Sequence, residues 1–272
     1  MAGPLRSENL AQGEVYTFGI VPQQSASRLA KMWGPLLKEL SAQTGATFLF
    51  RTTKDIPTFE ACLSSGAYDV AYMNPMHYAI FSKQSDYRAI ARQADKRLKG
   101  LIVARSGSGI EEIGNLDSQT IAFPSPGAFG ASILTRSALS SHGVSFEPSY
   151  VKSHDSVYRA VAAGLMQAGG GVSRTLGSVD PEVRAQLSII YETESFTPHA
   201  IAVLGEVGTE FATSVQEALI AVAQTNPDVA KGIGMRGFEM AQDTDWDDVR
   251  ALGMTHEETG ISRQGDVQCP SD

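Results

Sequence analysis

The chain has 272 residues, enough to bury one large core or two modest ones. Its 42% hydrophobic and 19% charged content is ordinary for a globular protein, and a formal net charge of −8 argues against the basic face of a nucleic-acid binder. No apolar run approaches the roughly 18–20 residues of a membrane helix, and Met1–Glu8 has no apolar signal core, so the chain is either cytosolic or has lost a signal to a replaced start.

Residues 1–13 are polar and are expected to form a flexible N-terminal segment. Val15–Val21 reads as a buried first strand. Leu29, Met32, Trp33, Leu36, Leu37 and Leu40 then recur at steps of three and four, a helical stripe that Gly45 stops. Thr47–Arg51 is a strand, about Pro57 to Ser65 a helix, Asp69–Met73 a strand, and a further helix starts at Pro75. Tyr87–Gln93 and Leu101–Ala104 read as strands. This alternation predicts an α/β layer with a mostly parallel sheet.

A second unit follows. Thr120–Phe123 is a strand, Ala128 to about His142 a helix closed by Gly143, Ser149–Lys152 a strand, and Asp155–Ala163 a helix closed by Gly164. The run Ala168-Gly169-Gly170-Gly171-Val172 is too glycine-rich for an ordinary strand interior, so its backbone is expected to come close to something there. Leu187–Tyr191 and Ala200–Leu204 are strands, and Phe211, Val215, Ala218, Leu219 and Val222 mark one face of a late helix that returns to the first sheet. Two lobes are expected, 14–104 plus 200–272 and 105–199, with crossings near Arg105 and Pro198. Asp243, Asp245, Asp247 and Asp248 mark an acidic surface or a helix start.

Three helix starts follow short apolar strands, at Asn74-Pro75, Ser125–Phe129 and Ser153–Ser156. Each offers unpaired N–H groups and the positive end of a macrodipole, and together they would make an anion trap. Asn74 is a favoured cap and Pro75 suits the first helical position. The Tyr78 hydroxyl, one turn on, could reach a bound oxyanion. Gly127 and Ala128 would leave their N–H groups uncovered, with Phe129 as a wall. Ser153 would cap its helix, His154 and Ser156 would donate to a ligand, and Asp155 would orient His154, accept a proton or favour the dipole. His199 stands at the expected crossing. Arg174 could pair with an anion or with a surface carboxylate. His77, His142, His154 and His199 show no short metal-ligand spacing, and no phosphate-loop or dinucleotide fingerprint is present, so no cofactor is expected.

Cys62 and Cys269 fit no zinc pattern. They could pair in an oxidising compartment, stand as two separate thiols, or leave Cys62 as a soft thiolate ligand.

Taken together, these segments resemble the phosphate/phosphite/phosphonate substrate-binding proteins of ABC transporters. The likeness is carried by Phe18-Gly19-Ile20-Val21-Pro22-Gln23, Lys54–Glu60, Tyr68–Pro75, Ala122–Pro126, Ser153–Val161, Gly169–Val172 with Arg174-Thr175, and Thr197–Ala200. The resemblance implies a type II periplasmic binding protein fold: two α/β lobes, each a mixed sheet flanked by helices, joined by two hinge strands. It implies a monomer that captures a small oxyanion ligand in the cleft, in the periplasm, and presents it to an ABC permease. Asn74, Tyr78, Ser125, Gly127, Ala128, Phe129, His154, Asp155, Ser156 and His199 are the expected site, and no catalysis is implied. The chain departs from the family where Pro126–Phe129 replaces a Ser/Thr-rich turn and where Ile56 replaces an aromatic residue. That keeps open an arsenite or arsenate sensor signalling to a membrane histidine kinase. A hydrolase using His154 and Asp155 is the remote alternative.

Overall fold

The computed structural model describes residues 13–254 together with Thr259 and Cys269. The expected flexible segment at residues 1–12 and most of the chain after Met254 lie outside the described residues. Among the described residues, eleven strands form two sheets. They are β1 (Val15–Ile20), β2 (Thr47–Arg51), β3 (Val70–Met73), β4 (Tyr87–Gln93), β5 (Leu98–Arg105), β6 (Gln119–Phe123), β7 (Phe146–Tyr150), β8 (Ala168–Val172), β9 (Leu187–Phe196), β10 (Ala200–Leu204) and β11 (Phe238–Met240).

The first sheet has the order β11-β4-β10-β3-β1-β2 and the second β7-β6-β8-β5-β9. Each is mixed. β1 runs parallel to β2 and β3, and β6 runs parallel to β7 and β8. β10 pairs antiparallel with β3 and β4, β11 with β4, and β5 with β8 and β9. The mostly parallel expectation holds at β1–β3 and β6–β8 and fails where the chain comes back from the other sheet.

The helices are α1 (Ala26–Thr44), α2 (Ile56–Ser64), α3 (Pro75–Gln84), α4 (Thr135–Ser141), α5 (His154–Ala162), α6 (Ser173–Ser178), α7 (Pro181–Arg184), α8 (Thr209–Thr225), α9 (Pro227–Gly232) and α10 (Asp247–Arg250). No helix among the described residues is long and apolar enough to cross a membrane. Helix α1 buries Leu29, Trp33, Leu36, Leu37 and Leu40, and its end is fixed by Gly45 at φ 75°, whose N–H donates to the Ser41 carbonyl. Only a residue without Cβ takes that left-handed turn at no cost.

The chain passes between the sheets at 94–97 and again at 197–199. The first passage lies before Arg105, where the sequence reading put it, because β5 already belongs to the second sheet. The segment from Ala128 also departs from expectation. It opens as a π-helical turn, Phe129–Leu134, with Ile133 N–H reaching the Ala128 carbonyl at 3.2 Å, and turns α-helical only at Thr135. The acidic segment is a helix start: a 3₁₀ turn at Asp243–Trp246 runs into α10.

The glycine run becomes β8, inside the second sheet. A Cβ on Gly170 would collide with the Ala131 carbonyl, and one on Gly171 with the Tyr158 hydroxyl. The close approach expected from the sequence is therefore the π turn on one face and α5 on the other. The two cysteines are bridged, Cys62 of buried α2 to Cys269, with Cα atoms 5.5 Å apart. Of the three readings left open, the thiolate one is overturned: both cysteines of the chain are in the bond. Cys269 is thereby tied back to the first lobe.

Candidate functional site

In an open α/β sheet the crevice beyond the carboxyl ends of parallel strands is where ligands bind, because loops there diverge and helix N-termini point inward. Gln23 follows β1, Asn74 follows β3, Ser125 follows β6, His154 opens the helix after β7, and Arg174 follows β8. His199 stands just before β10, antiparallel to β3, and so reaches the same end.

The lobes touch there through named polar contacts. Gln23 offers two oxygens to the second lobe: its carbonyl accepts from His154 N–H at 3.0 Å, and its Oε1 accepts from the Arg174 guanidinium. Gln24 Nε2 donates to Ser178 Oγ at 2.7 Å. Asn74 Nδ2 donates to the Gly127 carbonyl at 3.1 Å while its Oδ1 caps α3 by accepting from His77 N–H at 2.8 Å.

Arg174 is half-buried. Its Cζ lies 5.5 Å from the centre of the Tyr72 ring, a cation–π contact. His199 also stacks on Tyr72, with centroids 4.9 Å apart and 15° between planes. Arg174, Tyr72, His199, Val172 and Pro198 share the wall of an inner cavity of about 30 Å3. Arg174 Nη1 and His199 Nε2 are both shielded from solvent and without a hydrogen-bond partner, as are Ser125 Oγ and His77 Nδ1. Buried polar groups in native proteins are nearly always satisfied, so the two such atoms in the cavity wall, Arg174 Nη1 and His199 Nε2, mark a place suited to a polar ligand.

Electrostatics set the protonation of this crevice. His154 is buried, and its pKa falls from 6.5 to about 3, first from desolvation and then from the Arg174 charge. His199 is pushed down for the same first reason, with Arg174, His77 and His154 adding to it. Burial raises the Tyr72 phenol, which the Arg174 charge partly opposes. Near neutral pH the crevice histidines are thus neutral beside the Arg174 guanidinium, and Lys96, Arg97 and Lys99 also line the cavity wall. Among the described residues no group of three or more His, Cys, Asp or Glu side chains could hold a metal ion.

Asn74 and Gly127 meet each other across the lobes, His154 meets Gln23, and His199 lines the cavity, whereas Ser125 Oγ has no partner and several expectations are corrected. The Tyr78 hydroxyl donates to Asp243 Oδ1 at 2.9 Å and accepts from Ala89 N–H at 3.1 Å, so it is used inside the first lobe. The Ala128 N–H is covered by the Ser125 carbonyl at 3.3 Å. Phe129 is a buried wall, edge-on to Phe196. His154 Nδ1 sits 3.1 Å from Thr175 Oγ1, and its N–H is taken by Gln23. Asp155 answers instead to Gln24, Arg28 and Arg159, though burial raises its pKa overall. It does not orient His154, and the two make no acid–base pair. Ser156 Oγ stays with Ser153 Oγ at 3.0 Å.

Sequence reasoning missed Gln23 and Tyr72 and left Arg174 between two readings. The signal available was position: each directly follows or ends a strand whose carboxyl end faces the crevice.

Residues 18–246 match the family described as ABC transporter, phosphonate, periplasmic substrate-binding protein. The fold is shared with the binding-protein component of a phosphonate ABC transporter from Pseudomonas aeruginosa, at a TM-score of 0.81 and 16% identity over 91% of this chain and 92% of that one. It is shared also with PhnD1 of Prochlorococcus marinus, solved with methylphosphonate, at 0.80 and 16% identity over 88% and 97%. A protein of Xanthomonas citri bound to chloride follows at 0.66 and 15% identity over 90% and 97%. Two mixed α/β lobes, an interlobe crevice and the match over residues 18–246 place this chain in the phosphonate-binding family of periplasmic ABC-transporter substrate-binding proteins.

Proposed function

We propose that the protein captures a small phosphorus oxyanion, a phosphonate, phosphite or phosphate, between its lobes and hands it to an ABC permease. The observation that carries this reading is Arg174: a guanidinium with a shielded, unpartnered Nη1, seated between the lobes beside the equally unpartnered His199 Nε2. A planar cation with two forward donors suits a tetrahedral oxyanion, and the neutral rings around it add donors without competing charge. Rotation of the lobes about 94–97 and 197–199 would admit the ligand and close on it, and the closed outer surface is what a permease would read.

The hydrolase alternative loses its pair, since no hydrogen bond joins His154 to Asp155 and His154 is held neutral and weakly basic. The arsenic-sensor alternative, with its histidine-kinase partner, loses the soft thiolate that would have favoured it.

A thermal-shift panel of methylphosphonate, phosphite, phosphate, sulfate, arsenate and arsenite tests the reading. Ligand at 100 times Kd stabilises the folded state by about 2.7 kcal/mol. A rise in Tm with a phosphorus oxyanion supports the proposal. Shifts confined to arsenic species, or none with any anion at millimolar concentration, would overturn it.

A further inference from the structure

We propose that the ligand's substituent carries a second negative charge and lies in a basic groove at the mouth of the crevice. This inference rests on the oxyanion reading above and specifies the ligand class. The inner cavity beside Arg174 is the smaller of two adjoining spaces, about 30 Å3. Outside it opens a groove of about 510 Å3. The two share Gln93, Lys96, Ser173 and Arg174 in their walls, so a molecule anchored at Arg174 has a direct path outward.

The charges facing this groove are one-sided. Lys96, Arg174, Lys231 and Arg236 line it, against Asp95 alone. Lys96 comes from the passage between the sheets, Arg174 from the second lobe, and Lys231 and Arg236 from the first. The groove is therefore assembled by the same closure that forms the inner site. Lys231 is paired with Asp228, an exposed contact at 3.0 Å that is worth little. Lys96 and Arg236 form no ion pair among the described residues. On a chain of net charge −8 this is a local inversion of sign, and a concave basic mouth draws anions inward. A methyl substituent would leave the groove unused, and an ammonium would be repelled by it. A carboxylate or second phosphoryl group would be attracted by several cations at once.

The test is calorimetric titration of the whole protein with methylphosphonate, 2-aminoethylphosphonate and phosphonoacetate at low and high salt. Phosphonoacetate is expected to bind about fivefold or more tighter than methylphosphonate at low ionic strength, with the advantage shrinking as salt screens the exposed cations. Arg236→Ala/Lys231→Ala is expected to bring the ratio of the two affinities, measured within that variant, close to one. Equal binding of all three ligands, or preference for 2-aminoethylphosphonate, overturns the groove assignment and leaves the oxyanion reading standing. Binding of none overturns both.

Discussion

Gln23 and Arg174 face each other across the lobes, with the guanidinium donating to Gln23 Oε1 while the Gln23 carbonyl takes the first N–H of α5 at His154. One glutamine thus supplies acceptor oxygens to two donors that an entering oxyanion would also seek. It links the lobes and competes with the ligand at the same time. Gln23→Ala is expected to tighten oxyanion binding by about three- to tenfold, the net worth of one ordinary hydrogen bond no longer displaced. Titration of the variant beside the wild type checks this, and weaker binding would show that Gln23 is a ligand contact instead.

Acid should weaken the fold through the crevice histidines. His154 has a folded pKa of about 3 against 6.5 when unfolded, and His199 is shifted the same way. Between these values the unfolded chain binds more protons, so stability rises with pH there. The contribution is complete above pH 6.5 and is lost as pH falls toward 3, by at most about 1.4 kcal/mol per pH unit for each histidine. Melting curves from pH 4 to 8 should fall below pH 6.5, and His154→Asn should flatten that limb. A slope unchanged in the variant would assign the loss elsewhere.

The Cys62–Cys269 bond closes a sequence separation of 207 residues. Chain-entropy reasoning gives such a loop roughly 5 kcal/mol. Reduction, or Cys269→Ser, is therefore expected to lower Tm by on the order of 10 °C at this size. Scans with and without reductant measure it, and an unchanged Tm would mean the bond constrains nothing.

Gly170→Ala would drive a methyl into the Ala131 carbonyl beneath the Phe123 ring. Backbone cannot yield as a side-chain tip can, so a loss of about 3 kcal/mol or more is expected. Denaturant unfolding of the variant gives the value, and a change under 1 kcal/mol would show that the π turn can move away from β8.

How legible this was depends on which force set each element. β10 matches its expected limits because its apolar run lies between Pro198 and Gly205, and β4 matches them between Asp86 and Asp95. β5 begins before its expected start at Leu101 because Gly100 interrupts the run. That glycine is required: its N–H donates to Thr193 Oγ1 at 2.9 Å, and the Gly130 carbonyl stands where a Cβ would go. β7 begins three residues before its expected start at Ser149 and holds Pro148, and it is an edge strand paired to β6 alone, where proline is tolerated. In the site, Asn74 and Ser153 were readable as caps because capping is local chemistry. Gln23 against Arg174 was not, because 151 residues separate them and only the meeting of two sheets joins them. Tyr78 misled for the converse reason. Its position in the first turn is as expected, but Asp243 and Ala89, distant in sequence, claim its hydroxyl.

The most direct test of the account is titration of methylphosphonate into the wild type and into Arg174→Ala by calorimetry. Saturable one-to-one binding by the wild type, weakened about 10- to 100-fold in the variant at unchanged Tm without ligand, is the predicted result for loss of a charged donor worth about 1.5–3 kcal/mol. Equal affinity in the two proteins would contradict the placement of the oxyanion at Arg174.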